Sequence, residues 1–246
     1  MHNRVRHILL LSITLGLCAG GYYSFAALNK TRLATATTTA GEHSFREKNK
    51  KLFKELGLVY LKNIEILYQA VSKIDVKHTE RYLKNPGHYD NLEKKYGVLI
   101  ARGYIPPLSI QYINDKIGYG VFAEADIELG QMVGEYTGRI INVSDLKSAK
   151  YAWVYLMAHD QYGKPVVASL DAATAGNEMR FVNHDYNPNA AMQFVPQGGV
   201  WHAVYIANRP IKKGEQVLTD YGKKYWSGDR GEPHQFVKAD GSQNKV

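Results

Sequence analysis

The sequence predicts a mostly-β domain of several small sheets preceded by a helical N-terminal extension, and three observations carry that prediction. Beyond residue 95, short apolar and β-branched runs alternate with Gly, Pro, Asn and Asp, the punctuation of strands and turns. Between Ser44 and Ser72, Leu52, Leu56, Val59, Tyr60, Ile64, Leu67 and Val71 instead recur at helical spacing. A hydrophobic fraction of 45% with 18 tyrosines in 246 residues supplies the apolar surface a packed core needs, which excludes a disordered tail.

Taken in order, residues 1–28 place Arg4, Arg6 and His7 before an apolar run from Ile8 toward Leu28. That pattern fits a secretory signal peptide with a small-residue exit at Ser24-Phe25-Ala26, and it fits equally an uncleaved membrane anchor. Either reading makes the protein secreted or membrane-anchored, with membrane contact through residues 8–28. Residues 29–43, rich in Thr and Ala, read as a linker. The helical extension spans 44–95, with Ser44 and Glu47 as a capping box at its start and Asn85-Pro86-Gly87 as its terminator.

The β-like runs that follow are Val98–Ala101, Ser109–Ile113, Gly120–Ala123, Met132–Tyr136, Arg139–Val143, Val166–Leu170, Ala190–Phe194, His202–Ala207 and Gln216–Thr219. Ser144–Lys150 reads as a short helix among them. The domain closes near residue 226, leaving 227–246 as a C-terminal tail.

Charge and cysteine content narrow the chemistry. Residues 1–100 hold 16 Lys+Arg against 8 Asp+Glu, whereas 101–246 hold 15 of each, so the whole excess of +8 lies in the N-terminal part. A basic surface there suits an acidic protein, anionic lipid or nucleic acid, and a solvated lysine-rich helix face explains it as well. Cys18 is alone, so an intramolecular disulfide and a cysteine-based zinc cluster are excluded. The nine histidines show no ligand spacing, and no metal is assigned.

The chemically unusual stretch is Arg180-Phe181-Val182-Asn183-His184-Asp185-Tyr186-Asn187-Pro188-Asn189. A cation, an aromatic ring, amides and an imidazole beside Asn-Pro turn chemistry suit neither a helix face nor an alternating strand. Three further segments keep a fixed order around it. Gly118-Tyr119-Gly120 and Glu135-Tyr136-Thr137-Gly138 precede it, and Glu215-Gln216-Val217-Leu218-Thr219-Asp220-Tyr221-Gly222 follows. Each has an ordinary explanation alone, a hairpin turn or a strand end. His184 and Asp185 do not complete a hydrolase triad, because no Ser or Cys nucleophile stands in a strained turn.

Together the four ordered segments resemble the SET-domain protein lysine methyltransferases, over about residues 107–226. The resemblance implies a SET-like β-clip fold with a pseudo-knot, within a catalytic domain spanning 96–226. It also implies S-adenosyl-L-methionine as cofactor and a protein substrate presenting lysine, such as a histone or another basic protein; direct nucleic-acid binding is not expected. Cofactor contacts carried over by motif are Gly118, Tyr119, Gly120, Tyr136, Arg180, Phe181, Asn183, His184, Tyr221 and Trp226, with Trp226 covering the adenine ring. Arg180 has an equal claim to holding its loop, and Phe181 to core packing. Tyr221 is expected to orient the amine, and Tyr155 to line the lysine channel beside it. The rival reading keeps the fold without catalysis, as a membrane-tethered binding module.

Two departures from the family pattern matter. Asp185-Tyr186 stands where many relatives carry Ser-Cys, and no cysteine follows Tyr221, so the zinc-binding C-terminal segment is missing and the cofactor lid falls to Trp226 and the tail near Phe236. Thr219, two residues before Tyr221, replaces a common Phe or Tyr; a smaller side chain there implies room for multiple methylation. A leader on such an enzyme further suggests a bacterial protein exported to act on host histones.

Overall fold

The computed structural model describes residues 43–222 and Tyr225. The leader, the linker, Trp226 and the tail lie outside the described residues. Helix α1 covers 43–55; α2 is Glu80–Leu83 and α3 is Pro86–Ala101. Around them, among the described residues, run thirteen strands: β1 Val59–Tyr60, β2 Glu65–Ile66, β3 Leu108–Asn114, β4 Gly118–Ala123, β5 Met132–Glu135, β6 Arg139–Asn142, β7 Ala152–His159, β8 Pro165–Asp171, β9 Ala175–Gly176, β10 Asn183–His184, β11 Ala190–Gln197, β12 Val200–Ala207 and β13 Leu218–Thr219. They form small sheets: β2-β6-β8-β7, β11-β12-β5, and the pairs β3-β4, β1-β9 and β10-β13. The mostly-β prediction holds.

The helical extension is shorter than periodicity implied. Gly57, at φ +68°, takes the left-handed conformation that closes a helix, and Leu58 N–H bonds back to the Phe53 carbonyl at 2.8 Å. The chain then leaves helix because sheet partners are available: Val59 and Leu61 donate to the carbonyls of Thr174 and Gly176 at 3.0 and 2.7 Å. Asn85-Pro86-Gly87 does the opposite of what was expected and starts α3. The Asn85 side chain accepts from His88 N–H at 3.2 Å, and Pro86 occupies the first turn, where its missing N–H costs nothing. Val98–Ala101, expected as a strand, is therefore the end of α3. Ile100 from this helix joins Tyr96, Met132, Val195 and Val204 in a small core. The helix expected over Ser144–Lys150 is two short 3-10 turns, Val143–Asp145 and Ala149–Tyr151.

The feature that positions the site is the course of residues 215–219. On one side they meet β4, through the Phe122–Gln216 bridge and a 2.8 Å bond from Val217 N–H to the Val121 carbonyl. On the other, β13 runs parallel to β10 in register Asn183–Leu218 and His184–Thr219. Asn189 locks this side: its Nδ2 donates to the Gln216 carbonyl and its Oδ1 accepts from Leu218 N–H, both at 2.8 Å. The segment carrying Tyr221 is thus held between the glycine hairpin and the Arg180–Asn189 stretch, which lie about 60 residues apart in sequence.

α1 closes the other flank. Phe53 is fully buried and packs edge-on against Tyr60 and Phe181, at 5.2 and 5.5 Å between ring centroids. Beside it Asn49 Nδ2 donates to the Leu108 carbonyl and to Glu178 Oε1, and Asn49 Oδ1 accepts from Ile110 N–H. Tyr60 hydroxyl completes the Glu178 carboxylate at 3.0 and 3.2 Å. Burial raises the Glu178 pKa above the ordinary carboxylate value.

Candidate active site

An aromatic pocket of about 350 Å³ opens beside Tyr221, walled by Tyr136, Tyr151, Trp153, Val154, Val182, Tyr205 and Tyr225, with Arg180 at its margin. The backbone alternates at its edge: Val182 lines this pocket, whereas the next residue, Asn183, reaches the hairpin and donates through Nδ2 to the Tyr119 carbonyl at 3.0 Å. One short segment therefore serves two compartments.

Tyr221 is fixed at both ends. Its hydroxyl donates to the Val182 carbonyl at 2.7 Å, and its backbone N–H donates to His184 Nδ1 at 3.1 Å. Accepting through Nδ1 makes His184 a neutral imidazole, and burial lowers its pKa from 6.5 against the opposing pull of Asp220 and Asp185. Burial raises the phenol pKa of Tyr221, Tyr136 and Tyr205, so all three are neutral at physiological pH.

Tyr136 donates to the Tyr151 carbonyl at 2.9 Å and sets Tyr151 against the pocket. Arg180 donates through Nε and Nη2 to the carbonyls of Ala172 and Ala173, at 2.9 and 3.2 Å, and lies over the rings of Tyr151 and Phe181. It clamps the 171–176 loop. Phe181 packs between Phe53 and Tyr119, inside the core.

Tyr155 is not in the pocket. It is 1% exposed and its hydroxyl donates to the Trp201 carbonyl at 2.8 Å. The cause is a register shift in β7: Val154 faces Ser169 and Leu156 faces Ala168, so Tyr155 is the extra residue of a bulge. Strict alternation would put Tyr151, Trp153 and Tyr155 on one face; the bulge leaves the first two at the pocket and sends Tyr155 inward. Thr219 likewise stands behind the wall, buried at 2% exposure and paired with His184, while Tyr205 occupies the pocket side. Tyr205 hydroxyl makes no hydrogen bond to another described residue. Trp226 lies outside the described residues.

At the glycine hairpin, side chains approach the Gly120 backbone more closely than a side chain there would allow. A Cβ added at Gly120 would lie 2.5 Å from Gln216 Nε2, 2.7 Å from Ile113 Cδ1 and 3.1 Å from Asn183 Nδ2. Gln216 Nε2 is itself buried with no hydrogen-bond partner among the described residues. A buried donor left unpaired beside a glycine-lined backbone fits a polar ligand with acceptor atoms, as S-adenosylmethionine is. Gly118, at φ +80°, holds the turn open in a conformation that favours glycine.

Sequence reading missed Tyr151, Trp153, Tyr205, Tyr225 and Gln216. Tyr151 and Trp153 had a signal, aromatic residues spaced two apart. Tyr205 and Gln216 sit in plain strand sequence, and only the pairing of β12 with β5 and of residue 216 with β4 turns them toward the site.

Residues 118–222 match the SET domain family. N-lysine methyltransferase KMT5A-A of Danio rerio is 28% identical over 166 residues, covering 64% of this chain and 47% of that protein. A histone-lysine N-methyltransferase of Candida albicans, H3 lysine-36 specific, is 33% identical over 113 residues, covering 42% of this chain and 13% of its own length. The chain thus spans less than half the length of either relative. The solved structure of ATXR5 in complex with histone H3.1 superposes with a TM-score of 0.56 at 17% identity, over 75% of this chain and 90% of that one, a likeness of fold. The glycine hairpin, the Arg180–Asn189 stretch and the Tyr221 segment all lie within residues 118–222, and these residues form a SET domain.

Proposed function

We propose that this chain transfers a methyl group from S-adenosylmethionine to the side-chain amine of lysine in a protein substrate, with histones or other basic proteins as the substrate class. The observation that carries the reading is the aromatic pocket beside a tyrosine whose hydroxyl proton is committed to a backbone carbonyl. Relatives named as lysine methyltransferases support it.

The backbone of Gly118–Gly120 with the side chains of Asn183 and Gln216 would hold S-adenosylmethionine, which supplies an electrophilic methyl carbon on a sulfonium. The remaining work falls to residues of the chain. Because Tyr221 hydroxyl donates its proton to Val182, its oxygen acts toward an incoming amine as an acceptor. The walls of Tyr136, Tyr151, Trp153 and Tyr205 disfavour the ammonium form of lysine, whose unperturbed pKa is about 10.4. They also confine the amine to one approach line, and alignment of this kind supplies a large part of the rate in displacement chemistry. His184, by accepting the Tyr221 N–H, keeps the phenol at that line.

The test is transfer of labelled methyl from S-adenosylmethionine by the purified chain to histones and other lysine-rich proteins, with the label recovered as methyl-lysine. Label absent from lysine in every protein offered, or recovered on another residue type, overturns the reading. The N-terminal segment is proposed to export or anchor the protein; fractionation with N-terminal sequencing of the mature chain separates a cleaved leader from an anchor. No helix among the described residues is long and apolar enough to cross a membrane, and residues 8–28 lie outside them.

A further inference from the structure

Strand β7 continues past the aromatic pocket along the edge of its sheet. It is hydrogen-bonded to β8 on one side and to no other strand on its far side, among the described residues. Val154 and Met157 stand on it 57% and 69% exposed. Next to these two residues lies a second cavity of about 290 Å³, with Leu156 and Trp201 also lining it and Arg81 and Lys84 among its polar members. Val154 lines both cavities, so the two adjoin along one strand.

Arg81 is the unusual group. Its Nη1 donates to the Tyr155 carbonyl on β7 at 3.1 Å, and its guanidinium lies 3.9 Å from the Phe194 ring centroid and 5.4 Å from that of Trp201. Glu80, the acidic neighbour in the cavity wall, is taken by Lys84 at 2.8 Å. Among the described residues no carboxylate pairs with Arg81, and its other N–H groups bond to none of them. Arg81 is half-buried, and desolvation lowers its pKa. A half-buried guanidinium fixed on one N–H and stacked on aromatic rings presents its remaining N–H groups to a carboxylate in the cavity.

We propose that this cavity is a substrate subsite, in which an extended segment of the substrate lies along the free edge of β7, its lysine in the aromatic pocket and an acidic side chain on Arg81. The inference rests on the lysine-methylation reading of the adjoining pocket. A strand rises about 3.3 Å per residue, and Val154 to Met157 is three residues, so the acidic residue lies about two to four positions from the lysine. Main-chain bonds to a free sheet edge supply affinity, and the pockets beside it supply selectivity. Arg81 is the selective element: it rewards a carboxylate at that one position over a neutral or basic side chain.

The test uses the full chain and a series of peptides with one central lysine, in which Asp, Ala or Lys is placed singly at each position from four before to four after it. At a position two to four residues from the lysine, Asp is expected to raise kcat/KM about tenfold over Ala, and Lys to lower it. Arg81→Gln is expected to bring the Asp-to-Ala ratio close to one, and Arg81→Lys to retain part of it. Methylation with a flat profile, a preference for Lys at those positions, or an unchanged ratio in Arg81→Gln overturns the subsite while leaving the methyltransferase reading intact. Should Arg81→Gln fail to fold, the wild-type ratio is read between low and high salt: a carboxylate–guanidinium contact shrinks it, and an unchanged ratio overturns the proposal. Absence of methyl transfer to every peptide and to intact proteins removes the methyltransferase reading, and the subsite with it.

Discussion

Tyr221 and Val182 are joined by a 2.7 Å hydrogen bond in which the phenol donates to the backbone carbonyl, across a separation of 39 residues. The bond spends the only proton of the phenol on the protein itself. Whatever enters the aromatic pocket therefore meets an acceptor oxygen, and an amine N–H suits it.

Tyr221→Phe removes that oxygen and leaves the ring packing in place. The expected outcome is a fall in kcat of about a hundredfold, the scale of losing one preorganised polar group at a reacting centre. Affinity for S-adenosylmethionine, measured by calorimetry, is expected to stay within a few-fold. A kcat equal to wild type would remove Tyr221 from the mechanism.

Tyr205, not Thr219, faces the pocket, and its hydroxyl bonds to no other described residue. The phenol takes up the room that a small Thr219 had suggested was free. Wild type is accordingly expected to stop at monomethyl-lysine, and Tyr205→Phe to carry the product on to dimethyl-lysine. Mass spectrometry of a product peptide reads the difference, and identical distributions for the two proteins would sink this assignment.

His184 makes stability depend on pH below neutrality. Its folded pKa is lowered, chiefly by desolvation, so the unfolded chain binds a proton near pH 6.5 while the folded protein still resists it. The stabilisation present above pH 6.5 is lost as pH falls through the folded pKa. Melting temperature is expected to decline between pH 7 and pH 5, and to decline less in His184→Gln. Equal slopes for the two proteins would place the pH dependence elsewhere.

Asn49 ties α1 to the core through Leu108, Ile110 and Glu178. Asn49→Ala leaves buried partners unsatisfied and is expected to cost roughly 2–4 kcal/mol in denaturant unfolding. Glu178→Gln keeps an acceptor for the Tyr60 hydroxyl and removes the buried charge. Because burial raises the Glu178 pKa, the stability of its protonated form is lost as pH rises through the folded value. The variant is therefore expected to gain on wild type from pH 5 to pH 8. A Glu178→Gln protein that loses ground over that range would contradict the burial argument.

Several elements were legible in the chain because the signal is local. β3 and β4 were visible as apolar runs flanking a glycine turn, and Asn183, Tyr221 and the glycines were found through the order of their motifs. The end of α1 was missed because Leu56, Val59 and Tyr60 keep a helical pattern, although Gly57 interrupts it and β9 offers Val59 and Tyr60 a partner. The start of α3 was missed because Asn-Pro-Gly serves turns and helix beginnings alike.

What the sequence determined by itself is the general β character and the ordered motifs of a SET domain over residues 118–222, since these depend on residue type and order along the chain. The tertiary structure alone decided which aromatic side chains face the pocket. A strand shows each residue to one side or the other according to register, and a single extra residue at Tyr155 reverses that choice. The partner that imposes the bulge is β8, whose paired residues begin at Pro165, so no local reading of Tyr151–Leu156 contains it. Tyr205 and Arg81 follow the same rule: each becomes meaningful only where a neighbouring element brings it beside β7 or Tyr221.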